Sequence, residues 1–272
     1  MSPVTRKANP FLSTFVAAGL LLLASGPTQA QPPSAPQPGW QTDLGVGLII
    51  NPEFQGSEDY RALPVPYFDF RYVDQQGTKH FLNVPQGLGT YLIRDRTDSG
   101  NRFALSAALG PGFQNRDTDQ FQGLDTFGIG IEARLGAEYD IGRWSLQGGL
   151  AQAIASGHEG LYGNLTANYR FILGRGAFAG IGPSLRWGNS RYMSALYGIS
   201  AQESTASGLA RFDASSGVES AALQGIVSLP VGRQWRLTSV ARFGRLVGDA
   251  GDSSLTQEAN QFFLVTALTR RF

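Results

Sequence analysis

The sequence predicts an all-β fold, an antiparallel transmembrane β-barrel of the bacterial outer membrane with about 12 strands. Three observations predict it. Apolar residues recur with a period of two over stretches such as 127–140 and 161–173, long enough for tilted strands to cross a bilayer. The opposite faces of those stretches are small or polar, and in 132–140 four charges share one face and leave the other wholly apolar. The chain also opens with an export leader and closes on an alternating strand ending in Phe272.

Composition supports this and excludes much else. Of the 272 residues only 16% are charged, well below the ~25% of an average soluble protein. With no Cys and two His, thiolate catalysis, disulfides, Cys-ligated metals and multi-histidine centres fall away, and no cofactor is expected. Removing Arg6 and Lys7 with the leader leaves 20 Lys+Arg against 21 Asp+Glu, a balance of −1. A near-neutral chain gives no support for nucleic-acid binding.

The elements follow in order. Residues 1–30 read as a cleaved signal peptide, with Arg6 and Lys7 as the basic region, an apolar run from Phe11 to Ala24, and small residues at Thr28-Gln29-Ala30. Residues 31–39, with four Pro, form a periplasmic lead-in, and the barrel occupies 40–272. In 40–50, Trp40, Leu44, Val46, Leu48 and Ile50 share one face. In 127–140, Phe127, Ile129, Ile131, Leu135 and Tyr139 oppose Glu132, Arg134, Glu138 and Asp140. The segments 102–113, 144–154, 161–173, 177–187, 218–231, 234–247 and 262–272 repeat the design. Arg270 interrupts the last apolar face close to the interface, where a lipid-facing Arg costs only ~0–1 kcal/mol.

Connections should alternate between short periplasmic turns and longer external loops. They do so if 79–93 is two strands turning near Pro85-Gln86-Gly87 and 94–101 is a periplasmic turn. Long connections are then 51–62, 114–125, 188–217 and 248–260. The count stays within ten to fourteen, because both halves of 79–93 are short and 192–199 could itself pair as a strand.

Candidate functional residues are few. Glu132, Arg134, Glu138, Arg170, Arg236 and Arg242 should line a polar lumen, either ion-paired shut or open to small solutes. Gly128-Ile129-Gly130 lies inside an alternating strand with no following helix, so it reads as small lumen residues and not as a phosphate loop. Ser156, His158 and Glu159 supply the residue types of a lipid hydrolase without its motif. Asp249 and Asp252, with Glu258, could offer oxygen ligands to a divalent cation, but Gly248, Gly251 and Ser253 supply turn chemistry without one. The 188–217 segment is too long for an idle connection: it should fold over or into the lumen or present a partner surface, or else form an ordered cap that only stabilises the barrel.

The order and spacing of several motifs resemble the MipA/OmpV family of outer-membrane proteins over roughly 40–272. They are Phe54-Gln55-Gly56-Ser57 with Leu63-Pro64-Val65-Pro66, then Tyr197-Gly198-Ile199-Ser200 with Ser207-Gly208-Leu209, then Gly248-Asp249 through Asp252. The resemblance implies an outer-membrane barrel among lipid, and a non-enzymatic scaffold that brings a murein lytic transglycosylase together with a murein synthase. A narrow channel or solute-responsive pore is the alternative, and an outer-membrane lipid hydrolase using His158 a more distant one.

Overall fold

A computed structural model describes residues 38–75, 77–97, 100–116 and 122–272. The expected signal peptide and nearly all of the lead-in therefore lie outside the described residues. Twelve antiparallel strands form a closed barrel. In chain order they are β1 (Gly39–Pro52), β2 (Tyr60–Asp74), β3 (Gly77–Asn83), β4 (Gly87–Arg96), β5 (Arg102–Gly112), β6 (Gly130–Ile141), β7 (Trp144–Ala155), β8 (Leu161–Gly174), β9 (Ala177–Gly188), β10 (Gly217–Val231), β11 (Trp235–Leu246) and β12 (Asn260–Arg271). Each pairs with its neighbour in sequence, and β1 closes on β12 from Asp43↔Arg271 to Ile50↔Leu264. Closure satisfies the backbone of every strand without an edge, which is what hydrocarbon demands.

The alternation places Ile131 and Leu135 outward on β6, Leu165, Phe171 and Leu173 outward on β8, and Leu223 and Val227 outward on β10, all of them exposed. Glu132, Ser145, Tyr162, Thr166, Ser184 and Ser228, on the other face of their strands, are buried. Greasy side chains outside and polar ones inside invert the arrangement of a water-soluble barrel.

Connections differ by end. At one end β6 meets β7 through Gly142-Arg143, and β8 meets β9 through Arg175-Gly176, whose φ values of 50° and 76° are those a two-residue type I′ hairpin requires. β10 and β11 turn at Gly232-Arg233-Gln234. At the other end most loops are longer; the exceptions are Val84-Pro85-Gln86, where β3 and β4 share only four register pairs, and 156–160 between β7 and β8. In outer-membrane barrels short turns lie as a rule at the periplasmic end and long loops at the outer end.

Two expectations need correction. The segment 192–199 is no strand: Ser190–Tyr197 is a helix, α1, capped by the Asn189 side chain, which accepts from the Tyr192 amide. And β6 begins at Gly130, because Phe127 leaves the wall to bridge Arg116 in the preceding loop. A second helix, α2 (Ala201–Ser207), follows with a capping box between Ser200 and Glu203. The short α3 (Asp249–Asp252) sits in the last loop.

Candidate functional site: a capped barrel interior

The buried apolar cluster of this protein lies under its loops and not between its strands. Tyr192, Met193, Leu196 and Tyr197 of α1 pack with Ala214, Leu246 and Ala250, against Ala151 and Tyr162 of the wall. Apolar strand faces turned to lipid gain nothing from leaving water, so a water-type core forms only where loops meet the inside of the barrel mouth. Further bonds lock the loops to one another. Ser253 Oγ donates to the Tyr197 carbonyl at 2.7 Å, Ser194 Oγ to the Ala214 carbonyl at 3.0 Å, and the Ser215 amide to Asp249 Oδ2 at 2.6 Å.

Two buried carboxylates anchor this cap to the wall. Glu219 on β10 accepts from the Tyr197 hydroxyl at 2.7 Å and from the Tyr192 hydroxyl at 3.3 Å, with Arg186 Nε at 3.6 Å. Arg186 also stacks over the Tyr162 ring at 5.4 Å. Burial, and after it the neighbouring Glu219 charge, pushes both α1 phenols well above their ordinary range, so they remain donors. Glu219 reaches this position through a β-bulge: Val218 pairs with Trp187 and Ser220 with Arg186, and the skipped residue turns inward.

The second carboxylate, Glu132, accepts from Arg134 Nε at 2.9 Å, from the Tyr162 hydroxyl at 3.1 Å and from His158 Nε2 at 3.2 Å. The Gly160 amide donates to His158 Nδ1 at 3.1 Å, which assigns the ring hydrogen to Nε2. His158 packs edge-on to Tyr162 and Tyr192. Both ring nitrogens are thus engaged, and among the described residues no serine hydroxyl bonds to either. Ser156 serves instead as a left-handed turn residue at φ 58°.

A third tie runs between loops. Arg116 and Glu203 form a buried ion pair at 2.9 Å, while Glu203 also accepts from the Asp125 amide at 3.1 Å and the Ser200 amide at 2.8 Å. Burial acts to raise the Glu203 pKa, but the Ser200 bonds, the Asp125 amide and Arg116 together hold it below the ordinary value. Burial is the main cause that lowers that of Arg116.

The expected lumen residues fall into separate groups. Glu132 and Arg134 join the cap anchor, and Arg242 stands within electrostatic reach of Arg186 and Glu219. Glu138 accepts from the Tyr91 hydroxyl at 3.3 Å, Arg170 pairs with Asp140 at 2.9 Å, and Arg236 donates to Ser228 Oγ at 3.0 Å and the Gly176 carbonyl at 3.2 Å. At the turn end Asp43 holds both Arg71 and Arg271, stitching β2, β1 and β12 at the seam, and Arg94 grips Asp74 with both terminal nitrogens.

The motif residues serve the cap. Gly198 ends α1 where an added Cβ would meet the Ser194 carbonyl at 2.5 Å. Gly208 closes α2 in the left-handed region at φ 76°. Ser207 Oγ donates to the Glu203 carbonyl and accepts from the Leu209 amide. Gly248 precedes α3 at φ 54°, and Asp249 is spent on the Ser215 amide. Glu258 accepts from the Asn260 amide, and among the described residues Asp249, Asp252 and Glu258 form no cluster that could hold a metal.

Residues 44–272 match the family described as MltA-interacting protein MipA. The chain belongs to that family. As a MipA-family barrel it is an outer-membrane β-barrel protein. Among solved structures it is similar to OprB of Pseudomonas putida, solved at high pH, with 9% identity and a TM-score of 0.38 over 77% of this chain. The chain spans 56% of the length of that protein. No curated protein matches it.

Tyr192, Arg186, Glu219 and the Arg116–Glu203 pair were not singled out by sequence. The signal available was faint: ionisable residues beside the longest connection, which is where a loop that folds inward would need anchors.

Proposed function

We propose that this MipA-family barrel is a non-enzymatic scaffold that holds a murein lytic transglycosylase, and with it a murein synthase, at the outer membrane. It is exported with a leader at residues 1–30 that is removed, and outer-membrane lipid surrounds its strands. The transglycosylase is suggested by the family description, MltA-interacting protein. The observation that carries the reading is the cap. α1, with Tyr192 and Tyr197 fully buried and bonded to Glu219 of the wall, is a device for rigidity. Among the described residues His158 is engaged at both ring nitrogens, by Glu132 and the Gly160 amide, and bonds no nucleophile.

A narrow pore is the rival reading, supported by the polar inner face that runs from Glu132 to Asp140 and across Arg170 and Arg236. Ion pairs at the turn end and the cap at the loop end both oppose it. The deciding experiment passes a detergent extract of the envelope over the immobilised full-length barrel. Recovery of a lytic transglycosylase, with closed planar-bilayer recordings from the same preparation, is the expected result. Reproducible single-channel openings with no murein enzyme recovered would overturn the scaffold in favour of the pore.

A further inference from the structure

Charge is divided unevenly between the two ends of the barrel. Among the described residues the turn end, which takes in Asp43, 69–79, 94–102, 138–143, 170–175, 233–236 and 270–271, carries twelve Lys and Arg against six Asp and Glu. The loop end carries eight against twelve. A near-neutral total therefore hides a bipolar molecule.

At the turn end most of the carboxylates are already committed. Asp43, Asp69, Asp74 and Asp140 sit in ion pairs, and among the described residues Asp95 is the only exposed carboxylate there. The cations are in excess, and their placement is regular. At or beside each of the five short connections stands one exposed cation that pairs with no described carboxylate: Lys79 near the start of β3, Arg96 at the end of β4, and Arg143, Arg175 and Arg233 in the turns themselves. At the sixth position of the ring, where β12 closes on β1, Arg270 lies over the Phe272 ring at 5.0 Å.

What stands beside these cations indicates their ligand. Arg143 directly precedes Trp144, Arg233 stands two residues before Trp235, and Arg270 two before Phe272. All three aromatics are exposed, as is Trp40 at the same end, and Trp144 packs edge-on to Tyr169 at 5.2 Å. Exposed aromatics at one end of a transmembrane barrel form the girdle at the level of the lipid headgroups. Flexible cationic side chains one or two residues past such a girdle reach back to phosphates while their stems stay on apolar surface.

We propose that the short-turn rim is a ring of binding sites for anionic phospholipid headgroups of the periplasm-facing leaflet. The acidic loop end offers no such match, so the same ring favours one orientation of the barrel across the membrane. The inference stands apart from transglycosylase docking.

The test uses the full barrel in mixed micelles containing equal amounts of phosphatidylglycerol and phosphatidylethanolamine, with retained lipids counted by native mass spectrometry. The wild type should retain phosphatidylglycerol in preference. The R143Q/R175Q/R233Q variant should lose that preference, by about fivefold per cation removed. The corresponding triple Lys variant should keep it, and Arg211→Gln in the loops should have no effect. Trypsin resistance in the same samples reports the folded barrel, and the single Gln variants replace the triple one if it fails to fold. Equal retention of both lipids by the wild type, or an undiminished preference in the Gln variants, overturns the proposal. So does a wild type blind to headgroup whose transglycosylase capture falls in the Gln variant, since the ring would then serve a protein.

Discussion

Glu219→Ala should release the cap while leaving the wall intact. The side chain is 1% exposed, accepts from two α1 hydroxyls and faces Arg186. Its removal leaves the Arg186 guanidinium buried without a carboxylate, with Arg242 adding like charge nearby. Breaking a buried ion pair from one side costs ~3–5 kcal/mol. Because each 1.4 kcal/mol is tenfold, opening of α1 should become about 10²- to 4 × 10³-fold more frequent. Glu219→Gln keeps an acceptor and loses the charge, so two charge-assisted bonds become ordinary ones, at a cost of about 1–3 kcal/mol in total. Hydrogen exchange of peptides covering 190–199, measured by mass spectrometry in lipid, reads local opening directly. Peptides from 262–268 in β12 are the internal control and should not change. If Glu219→Ala leaves the protection of 190–199 within threefold of wild type, the carboxylate does not anchor the cap.

Two further outcomes follow from the same structure. Leu135, at the middle of β6 and 57% exposed, should face the bilayer interior, so Leu135→Arg should cost ~2–4 kcal/mol in urea unfolding from lipid vesicles. A cost within about 0.5 kcal/mol, typical of a water-exposed surface site, would mean that this face does not meet hydrocarbon. The Glu203 clasp should fail in acid: its carboxyl titrates below the ordinary 4.5 in the folded protein, so its stabilisation is complete above that value and lost as pH falls through the lowered one. Because the chain has no Cys, a single spin label at exposed Gln202 (Gln202→Cys) reports α2 without interference. Label mobility should rise only below about pH 4.5 and should already be high at neutral pH in Glu203→Gln, whereas a transition centred near pH 6 would point to another group.

The strands were legible because lipid and lumen impose opposite demands on alternate residues, and Ile131, Leu135 and Glu132 obey them without exception. Connection lengths then supplied the count of 12, including the weak β3–β4 pair. The phase of the pattern was less secure than the pattern. Counting back by twos from Leu223 puts Glu219 on the lipid face, and only the bulge between Val218 and Ser220 turns it inward. A bulge leaves no mark in a period-two count. The helix at Ser190–Tyr197 escaped for a related reason. Its apolar residues Tyr192, Met193, Leu196 and Tyr197 fit a helical stripe, but eight residues are too few to separate that period from a strand's. The motif residues were visible, yet their role in closing α1 and α2 depends on φ angles and carbonyl contacts that residue identity only hints at.

The two ends of this barrel are stabilised by different physics, and this constrains where a regulated change can occur. The wall is held by a closed ladder of strand hydrogen bonds in a medium with no competing water, so it opens only as a whole. The cap instead rests on burial of Tyr192, Met193, Leu196, Ile199 and Leu255 away from water, plus a few charge-assisted bonds. Such a core can open locally at the cost of its own contacts alone. A partner, a proton or a bound ion acting from outside can therefore shift the cap without loosening the wall. At the far end the cations of the short turns are fixed to strand ends that do not move. Whatever docks on the short-turn side meets a charged rim set on the closed wall, whereas Glu132 and Arg134, with the Pro85 and Pro111 carbonyls that Arg134 holds, belong to the loop end and move, if they move, with the cap.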